Sequence, residues 1–108
     1  MRSTIEIEIE NIEEMRRREG IDDVELREEI HVLQVGDSVK LTFRPRLQAT
    51  AGETLVVRIT SIREDAFRGK LVSRPVSVGL AQLRVGSAVA FTTAHIHSVP
   101  KGQPAPRR

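Results

Sequence analysis

Cysteine, tryptophan and tyrosine are missing from this sequence of 108 residues, and three phenylalanines are its only aromatic residues. Without cysteine the chain can form neither a disulfide nor a thiolate nucleophile, which fits a reducing compartment. Without tryptophan or tyrosine, and with Phe43, Phe67 and Phe91 at expected core positions, it has no platform on which single-stranded bases would stack.

Long apolar runs are also missing. The first residues alternate isoleucine with glutamate, so they do not form the uninterrupted apolar stretch that a secretory signal needs. No segment approaches the roughly 20 apolar residues that cross a bilayer. We therefore expect a cytoplasmic protein that does not enter a membrane, with a length suited to one domain and one modest core.

Charge is divided unevenly along the chain. Residues 1–30 hold eleven acidic residues and five arginines, a net charge of −6. Residues 31–108 hold twelve basic and four acidic residues, a net charge of +8. This split predicts that the two parts contact each other or bind partners of opposite charge.

One helix is predicted near the N-terminus. Asn11 has a glutamate three residues later, a spacing typical of a helix start, and three arginines follow where the helix dipole favours them. We therefore expect a helix over residues 11–19. Residues 21–33 are expected to be a connector with no more than one helical turn, capped by Asp22 or Asp23.

Residues 4–10 fit two structures. They suit a helix that begins at Ser3, because isoleucines then fall on one helical face. They equally suit a strand, because isoleucine alternates with glutamate and β-branched residues favour strands. Both alternatives stay open at the level of the sequence.

From residue 33 the pattern is typical of short strands separated by turns. Side chains alternate between the two faces of a strand, so the apolar members of each alternating stretch are expected to point inward: Val39, Leu41, Phe43, Leu55, Val57, Ile59, Phe67 and Leu71. Glu64 and Asp65 are expected in a hairpin turn, and residues 88–97 in the last strand. The predicted fold is mainly β: a small SH3-like barrel of about five antiparallel strands with one N-terminal helix.

An internal similarity supports this reading. The ten residues from Leu33, LQVGDSVKLT, resemble the ten from Leu83, LRVGSAVAFT. Both place a glycine and a small polar residue before a strand, which predicts two turns of the same build. The chain then divides into an acidic segment with a helix (1–30), a barrel domain (31–98) and a basic tail expected to be disordered (99–108).

The same residues carry a resemblance to a known family. They are Leu33-x-x-Gly36-Asp37-x-Val39-Lys40-Leu41-x-Phe43, Gly52-Glu53, Phe67-x-Gly69-x-Leu71, Pro75-Val76, Leu83-x-x-Gly86, Val89-x-Phe91 and His95-Ile96. Over residues 27–97 this pattern resembles the bacterial family of unknown function typified by YegJ. The resemblance implies a small SH3-like β domain and no established activity.

Three positions depart from the pattern of that family. Leu55-Val56 stands where relatives commonly have Met-Trp, and Ser87 stands where an acidic residue is usual. The asparagine often found before the proline is absent, with Ser73 and Arg74 nearby. Any ligand that the tryptophan and asparagine serve in relatives is therefore not implied for this chain.

Catalytic and metal chemistry find little support in the sequence. It contains no nucleophile elbow, no glycine-rich phosphate loop and only four acidic residues beyond residue 30. His95 and His97 would share one face of a strand and, with His31, would offer three nitrogen ligands to a metal. No acid clusters with the pair, so we expect neither a cofactor nor a catalytic residue.

A basic outer face is the stronger indication of a site. If the apolar residues point inward, strand alternation places five cations on the outside: Lys40, Arg44, Arg58, Arg68 and Lys70. Like charges on neighbouring strands repel each other, so something anionic is expected to offset them. The alternatives are solvent ions, the chain's own acidic segment, and a nucleic-acid backbone.

These observations favour a non-enzymatic interaction module. It would bind a protein partner or a second copy through the barrel rim, the N-terminal segment or exposed strand edges. Sequence-independent nucleic-acid binding by the five cations is the alternative, and a metal or enzymatic role for His95 and His97 is the third reading. No small-molecule substrate is indicated.

Overall fold

A computed structural model describes residues 7–46 and 52–100. The elements follow in chain order: β1 (Ile7–Ile9), α1 (Ile12–Arg18), α2 (Val24–His31), β2 (Ser38–Pro45), β3 (Glu53–Arg63), β4 (Ala66–Leu71), the 3-10 helix η1 (Val78–Leu80), β5 (Ala88–Thr92) and the 3-10 helix η2 (Thr93–His95). Ser3, residues 4–6 and the predicted disordered tail from residue 101 onwards lie outside the described residues.

All five strands belong to one antiparallel sheet, and each strand pairs with its neighbour in sequence. After η2 the chain returns to β2, where the backbone N–H of Lys40 donates to the carbonyl of Ser98 (2.9 Å) and that of His97 donates to the carbonyl of Lys40 (2.9 Å). These two bonds join the end of the described chain to the first long strand. The result is a nearly closed barrel, which confirms the predicted mainly β, SH3-like fold.

Strand alternation places the core where the sequence predicted it. The expected inward set is buried, together with later residues of the same pattern: Val39, Leu41, Phe43, Leu55, Val57, Ile59, Phe67, Leu71, Val89 and Phe91. The rings of Phe67 and Phe91 stack with their centroids 5.3 Å apart. Leu80, the last residue of η1, and Ile96, which follows η2, complete the core.

A β-bulge interrupts this alternation in β3. The pairing register shifts between Ile59, which lies opposite Gly69, and Ser61, which lies opposite Arg68. The extra residue reverses the direction of the side chains that follow, so Ile62 turns inward opposite Phe67. Simple alternation from Leu55 therefore ends at Ile59.

The N-terminal strand and helix both follow local signals. β1 pairs with β2, with Ile7 opposite Pro45 and Ile9 opposite Phe43, so the strand alternative holds for the described part of residues 4–10. Asn11 then caps α1, because its side-chain oxygen accepts a hydrogen bond from the Glu14 backbone N–H (2.9 Å).

The prediction of a single helix is wrong, because a second helix occupies most of the expected connector. Asp23 caps α2 by accepting a hydrogen bond from the Leu26 backbone N–H (3.0 Å), and the helix runs for eight residues. Leu26 is buried, and Ile30 and Leu33 pack against the barrel core. Leu26 and Ile30, four residues apart, lie on one face of α2, and Leu33 follows just beyond the end of the helix.

The predicted last strand is also too long. β5 ends at Thr92, whose backbone N–H donates to Nδ1 of His95 (2.9 Å) and whose hydroxyl accepts from the backbone N–H of Ala94 (3.3 Å). This reciprocal cap turns the chain into η2. His95 therefore lies in a 3-10 helix, and residues 93–97 do not continue the strand.

The two similar ten-residue stretches form two turns of the same build. Gly36 and Gly86 both have a positive φ, of 101° and 96°. The polar residue after each glycine accepts a hydrogen bond from the backbone N–H three residues earlier, Gln34 to Asp37 (2.9 Å) and Arg84 to Ser87 (2.9 Å). The side chains of Asp37 and Ser87 thus accept equivalent hydrogen bonds just before β2 and β5.

Candidate functional site

Three of the five predicted cations form one cluster on the outside of β3 and β4. Arg58 lies directly opposite Lys70 in the pairing register, and Arg68 follows on the same face of β4. All three are exposed, and none has an ion-pair partner among the described residues. The Cβ atoms of directly opposed cross-strand residues lie about 5 Å apart, so the positive charges of these side chains repel one another. We call Arg58, Arg68 and Lys70 the basic cluster.

The other two predicted cations have different surroundings. Arg44 lies opposite Glu8 and bonds its carboxylate from Nε and Nη2, each at 2.8 Å, while Glu10 lies 3.9 Å from Nε. Lys40 is half-buried, and its backbone holds the segment after η2. The acidic residues at the N-terminal strand therefore offset the charge of Arg44 at one end of the outer face. Within the described part of the chain they form no ion pair with the basic cluster.

His95 and His97 both lie in the segment through which the chain returns to β2 and closes the barrel. Nδ1 of His95 accepts the Thr92 N–H, and Nδ1 of His97 lies 3.0 Å from the Ser98 hydroxyl. Burial lowers the pKa of His95 below its ordinary value of 6.5. Burial also lowers the pKa of His97, with Arg16 and Lys40 acting in the same direction and Glu10 against them.

The third histidine of the predicted metal set does not join this pair as part of a ligand cluster. His31 is exposed at the end of α2. Within residues 7–46 and 52–100, no group of three histidine, aspartate or glutamate side chains is arranged to hold a metal ion.

A groove that the sequence did not predict lies where α1, α2 and η2 meet. Two hollows of about 360 and 640 Å³ adjoin there, since Glu13, Arg27, Ile30 and Thr93 line both, and we describe them together as one groove. Its apolar wall is made by Ile12, Ile21, Val24, Leu26, Ile30, Val32 and Ile96. We call this the helix groove; it is concave, mostly apolar in its walls and open to solvent.

Ion pairs hold the two sides of the helix groove together. Nη1 of Arg16 on α1 lies 3.0 Å from the carboxylate of Asp23, the residue that caps α2. Nη2 of the same guanidinium donates to the backbone carbonyl of His97 (3.3 Å), which ties both helices to the barrel closure. Arg27 pairs with Asp22 at the mouth. The groove is therefore already formed in the unbound protein.

Exposed valines mark a second apolar surface on the connection between β4 and β5. We call residues 72–87 the valine loop. Val76 and Val78 are 83% and 90% exposed, and Val72 and Val85 are also exposed. Isolated exposed aliphatic residues are ordinary, but in this loop four of sixteen residues are exposed valines, which is an unusual concentration. Arg74 and Arg84 are the charged residues of this loop.

Glu53 at the start of β3 holds the valine loop in place. Its carboxylate accepts hydrogen bonds from the backbone N–H groups of Val76 (3.0 Å) and Ser77 (3.0 Å). Partial burial of the carboxyl opposes ionisation, yet these bonds outweigh it and lower the pKa of Glu53 below 4.5. The hydroxyl of Ser73 also accepts from the Val56 backbone N–H (2.9 Å). The valines are thus presented on an anchored loop.

Sequence reasoning identified the basic cluster and missed both apolar surfaces. The helix groove depends on α2, which was expected to be a connector. One signal was present: Ile21, Val24 and Val32 are aliphatic residues in a highly charged stretch, without a strand pattern to bury them. The valine loop likewise shows valine at two alternate positions after Pro75, Val76 and Val78, and both are exposed.

Comparison with known proteins gives no family for this chain. No protein-family model matches it, and neither a curated protein nor a solved structure shows significant similarity. Neither helix in the described part of the chain is long and apolar enough to pass through a membrane.

Proposed function

We propose that this protein is a non-enzymatic binding module that holds a protein partner, or a second copy of itself, in the helix groove. One observation carries the proposal: an apolar groove of several hundred Å³, with Ile21, Val24 and Val32 exposed along it. Exposed apolar patches with a polar rim are typical of protein-interaction sites. A cytoplasmic location and a relationship to the YegJ-like family belong to the same proposal.

The arrangement of the groove supports a polypeptide as its occupant. The groove is open to solvent and lined by apolar side chains of two helices, a surface on which a helix or an extended segment of a partner can pack. Its charged residues are largely paired across the rim, Arg16 with Asp23 and Arg27 with Asp22, so the groove has no strong preference for a small ion. Apolar side chains would supply most of the contact.

Site-directed photocrosslinking tests this function. A photoreactive residue at position 24, on the rim of the groove, should capture a protein from cell lysate, and the product should survive nuclease treatment. Position 35 is the matched control, because Val35 is also exposed but does not line the groove. Equal products at both positions, or no product at position 24 either in lysate or in the purified protein at about 1 mM, would show that the groove is not a protein-binding site.

A second candidate function rests on the basic cluster. Three exposed cations, which have no ion-pair partner within residues 7–46 and 52–100, lie on one sheet face beside small side chains, since Ala88 is paired with Lys70 and Ala90 with Arg68. Such a surface suits the phosphate backbone of a duplex, which requires cations and no aromatic platform. The binding would be independent of sequence, because contacts to the phosphate backbone carry no base information.

Fluorescence anisotropy with a labelled duplex tests the second candidate. Three phosphate contacts predict that log K falls with log salt concentration with a slope of about −2.7. Replacing Arg58→Gln together with Lys70→Gln should remove most of the binding at low salt, whereas Arg84→Gln should leave it unchanged. Absence of duplex binding at low salt would exclude this candidate.

A further inference from the structure

We propose that the occupant of the helix groove is the valine loop of a second copy of this chain, so that the protein associates with itself by a loop-into-groove contact. This inference rests on the proposed function of the groove and names its partner. It joins the two apolar surfaces of the molecule, which share no lining residue. Each copy therefore offers one loop and one groove.

Charge complementarity favours the second copy over an unrelated protein. The helix groove is lined by four acidic residues (Glu13, Asp22, Asp23 and Glu28) and three arginines (Arg16, Arg17 and Arg27), so its lining has a small net negative charge. The valine loop holds Arg74 and Arg84 and no acidic residue, and residues 66–100 as a whole hold four cations and no acid. Bringing the loop into the groove therefore sets a net positive surface against a net negative one, which favours this pairing over loop against loop.

Apolar complementarity supports the same contact. The tip of the loop presents Val76 and Val78, which are 83% and 90% exposed. The groove presents Ile21, Val24 and Val32 along its open side. Val76 and Val78 flank Ser77, the residue that precedes η1, so two exposed β-branched side chains lie close together where that helix begins and can contribute apolar surface to one contact.

Both surfaces are already ordered in the single copy, which lowers the entropic cost of joining them. Glu53 holds Val76 and Ser77 through their backbone N–H groups. Arg16 fixes α1 against the cap of α2. The contact is small, so we expect weak association, with a Kd on the order of 100 µM.

Sedimentation equilibrium of the full chain between about 10 µM and 1 mM at low salt tests the inference. The wild-type protein should associate as concentration rises, either to a two-fold dimer with two reciprocal contacts or to longer chains. The loop variant Val76→Asp with Val78→Asp sets carboxylates against α2 and should weaken association about tenfold or more. The groove variant Val24→Lys with Val32→Lys sets cations against Arg74 and Arg84 and should do the same. Val35→Asp, an exposed valine outside both surfaces, should associate like the wild type.

Mixing the two double variants gives the sharper result. The loop variant retains an intact groove, and the groove variant retains an intact loop, so the mixture should associate more tightly than either variant alone. A monomeric wild type at about 1 mM would overturn the inference, as would wild-type association by both double variants or a mixture that associates no more tightly than its components. Nuclease-resistant capture of another protein at position 24, with a monomeric wild type, would leave the proposed function standing and this inference refuted.

Discussion

Gly69 lies where β4 passes beside the bulge of β3, and the space there admits no side chain. A Cβ at this position would lie 2.5 Å from the Arg58 carbonyl oxygen and 2.6 Å from a methyl group of Val57. Both neighbours are held by the sheet, so neither can withdraw without breaking strand pairing. The glycine of the Phe67-x-Gly69-x-Leu71 pattern is therefore required by close packing between strands.

Replacement of Gly69 by alanine should destabilise the barrel. We expect Gly69→Ala to lower the free energy of unfolding by about 1–3 kcal/mol, because the added methyl group overpacks the contact with β3. Urea unfolding followed by circular dichroism measures the change. Ala90→Ser, on the exposed face of β5, is the control and should unfold at the wild-type midpoint; an unchanged midpoint for Gly69→Ala would contradict the packing argument.

Acid should weaken the fold through His95 and His97. The folded state holds the pKa of both below 6.5, so the unfolded chain binds protons at a higher pH than the folded one. The stabilisation is complete above pH 6.5 and declines as the pH falls through 6.5 towards the folded values. Protonation of His95 also removes the acceptor for the Thr92 N–H.

The measurement is the urea midpoint between pH 7.5 and 5.5, which we expect to fall as the pH is lowered. His95→Asn keeps an acceptor near the position of Nδ1 and does not titrate, so it should flatten part of this dependence. A midpoint that is independent of pH in this range would show that neither imidazole is held in its neutral form.

At the scale of the elements, β1 is the acidic strand that partly covers the outer face. Glu8 and Glu10 pair with Arg44, but β1 ends before it reaches the basic cluster on β3 and β4. The predicted contact between the acidic segment and the basic face thus exists for one cation. Strand order explains the limit, because β1 pairs with β2 at the far side of the sheet from β4.

Removing the negative charges of Glu8 and Glu10 should leave Arg44 free to bind anions. We expect Glu8→Gln with Glu10→Gln to elute from heparin at higher salt than the wild type, because the charge of Arg44 is then no longer offset. Glu64→Gln with Asp65→Gln, in the exposed hairpin turn, also removes two acidic charges and controls for net charge. Equal elution of the two variants would show that only net charge matters.

At the scale of the whole molecule, the helices and the barrel form one folded unit. Ile12 of α1 is 1% exposed, Leu26 of α2 belongs to the barrel core, and β1 continues the barrel sheet. Arg16 bonds the His97 carbonyl beside the closure. The acidic segment and the barrel were considered as separate regions of the sequence, but their described residues share one interior.

This shared interior predicts a single cooperative unfolding transition. Ile12→Ala should lower the free energy of unfolding by about 2–4 kcal/mol and shift the helix and sheet signals together. Amide peaks of α1 and of β3, followed by NMR through a urea titration, give the two probes. Loss of the α1 peaks at a lower urea concentration than the β3 peaks would show that the helices unfold separately.

Local pattern was sufficient for much of this molecule. Alternation placed Val57 and Arg58 on opposite faces because successive side chains of a strand must point in opposite directions, and Asn11 began α1 because its side chain serves a free N–H of the first turn. The turns at Gly36 and Gly86 need a positive φ that glycine adopts without strain. Such features depend on residues a few positions apart.

Only the tertiary structure decided the rest, because it depends on residues distant in sequence. The bulge opposite Gly69 follows from the pairing of β3 with β4, and α2 forms where its apolar face meets a core supplied mostly by residues beyond 38. The helix groove needs α1, α2 and η2 together, and the valine loop is anchored by Glu53, more than twenty residues earlier. Composition and alternation by themselves determined a small barrel with cations on its outer face. Long-range packing determined which of those cations lack an ion-pair partner among the described residues, and it determined where the apolar surfaces lie.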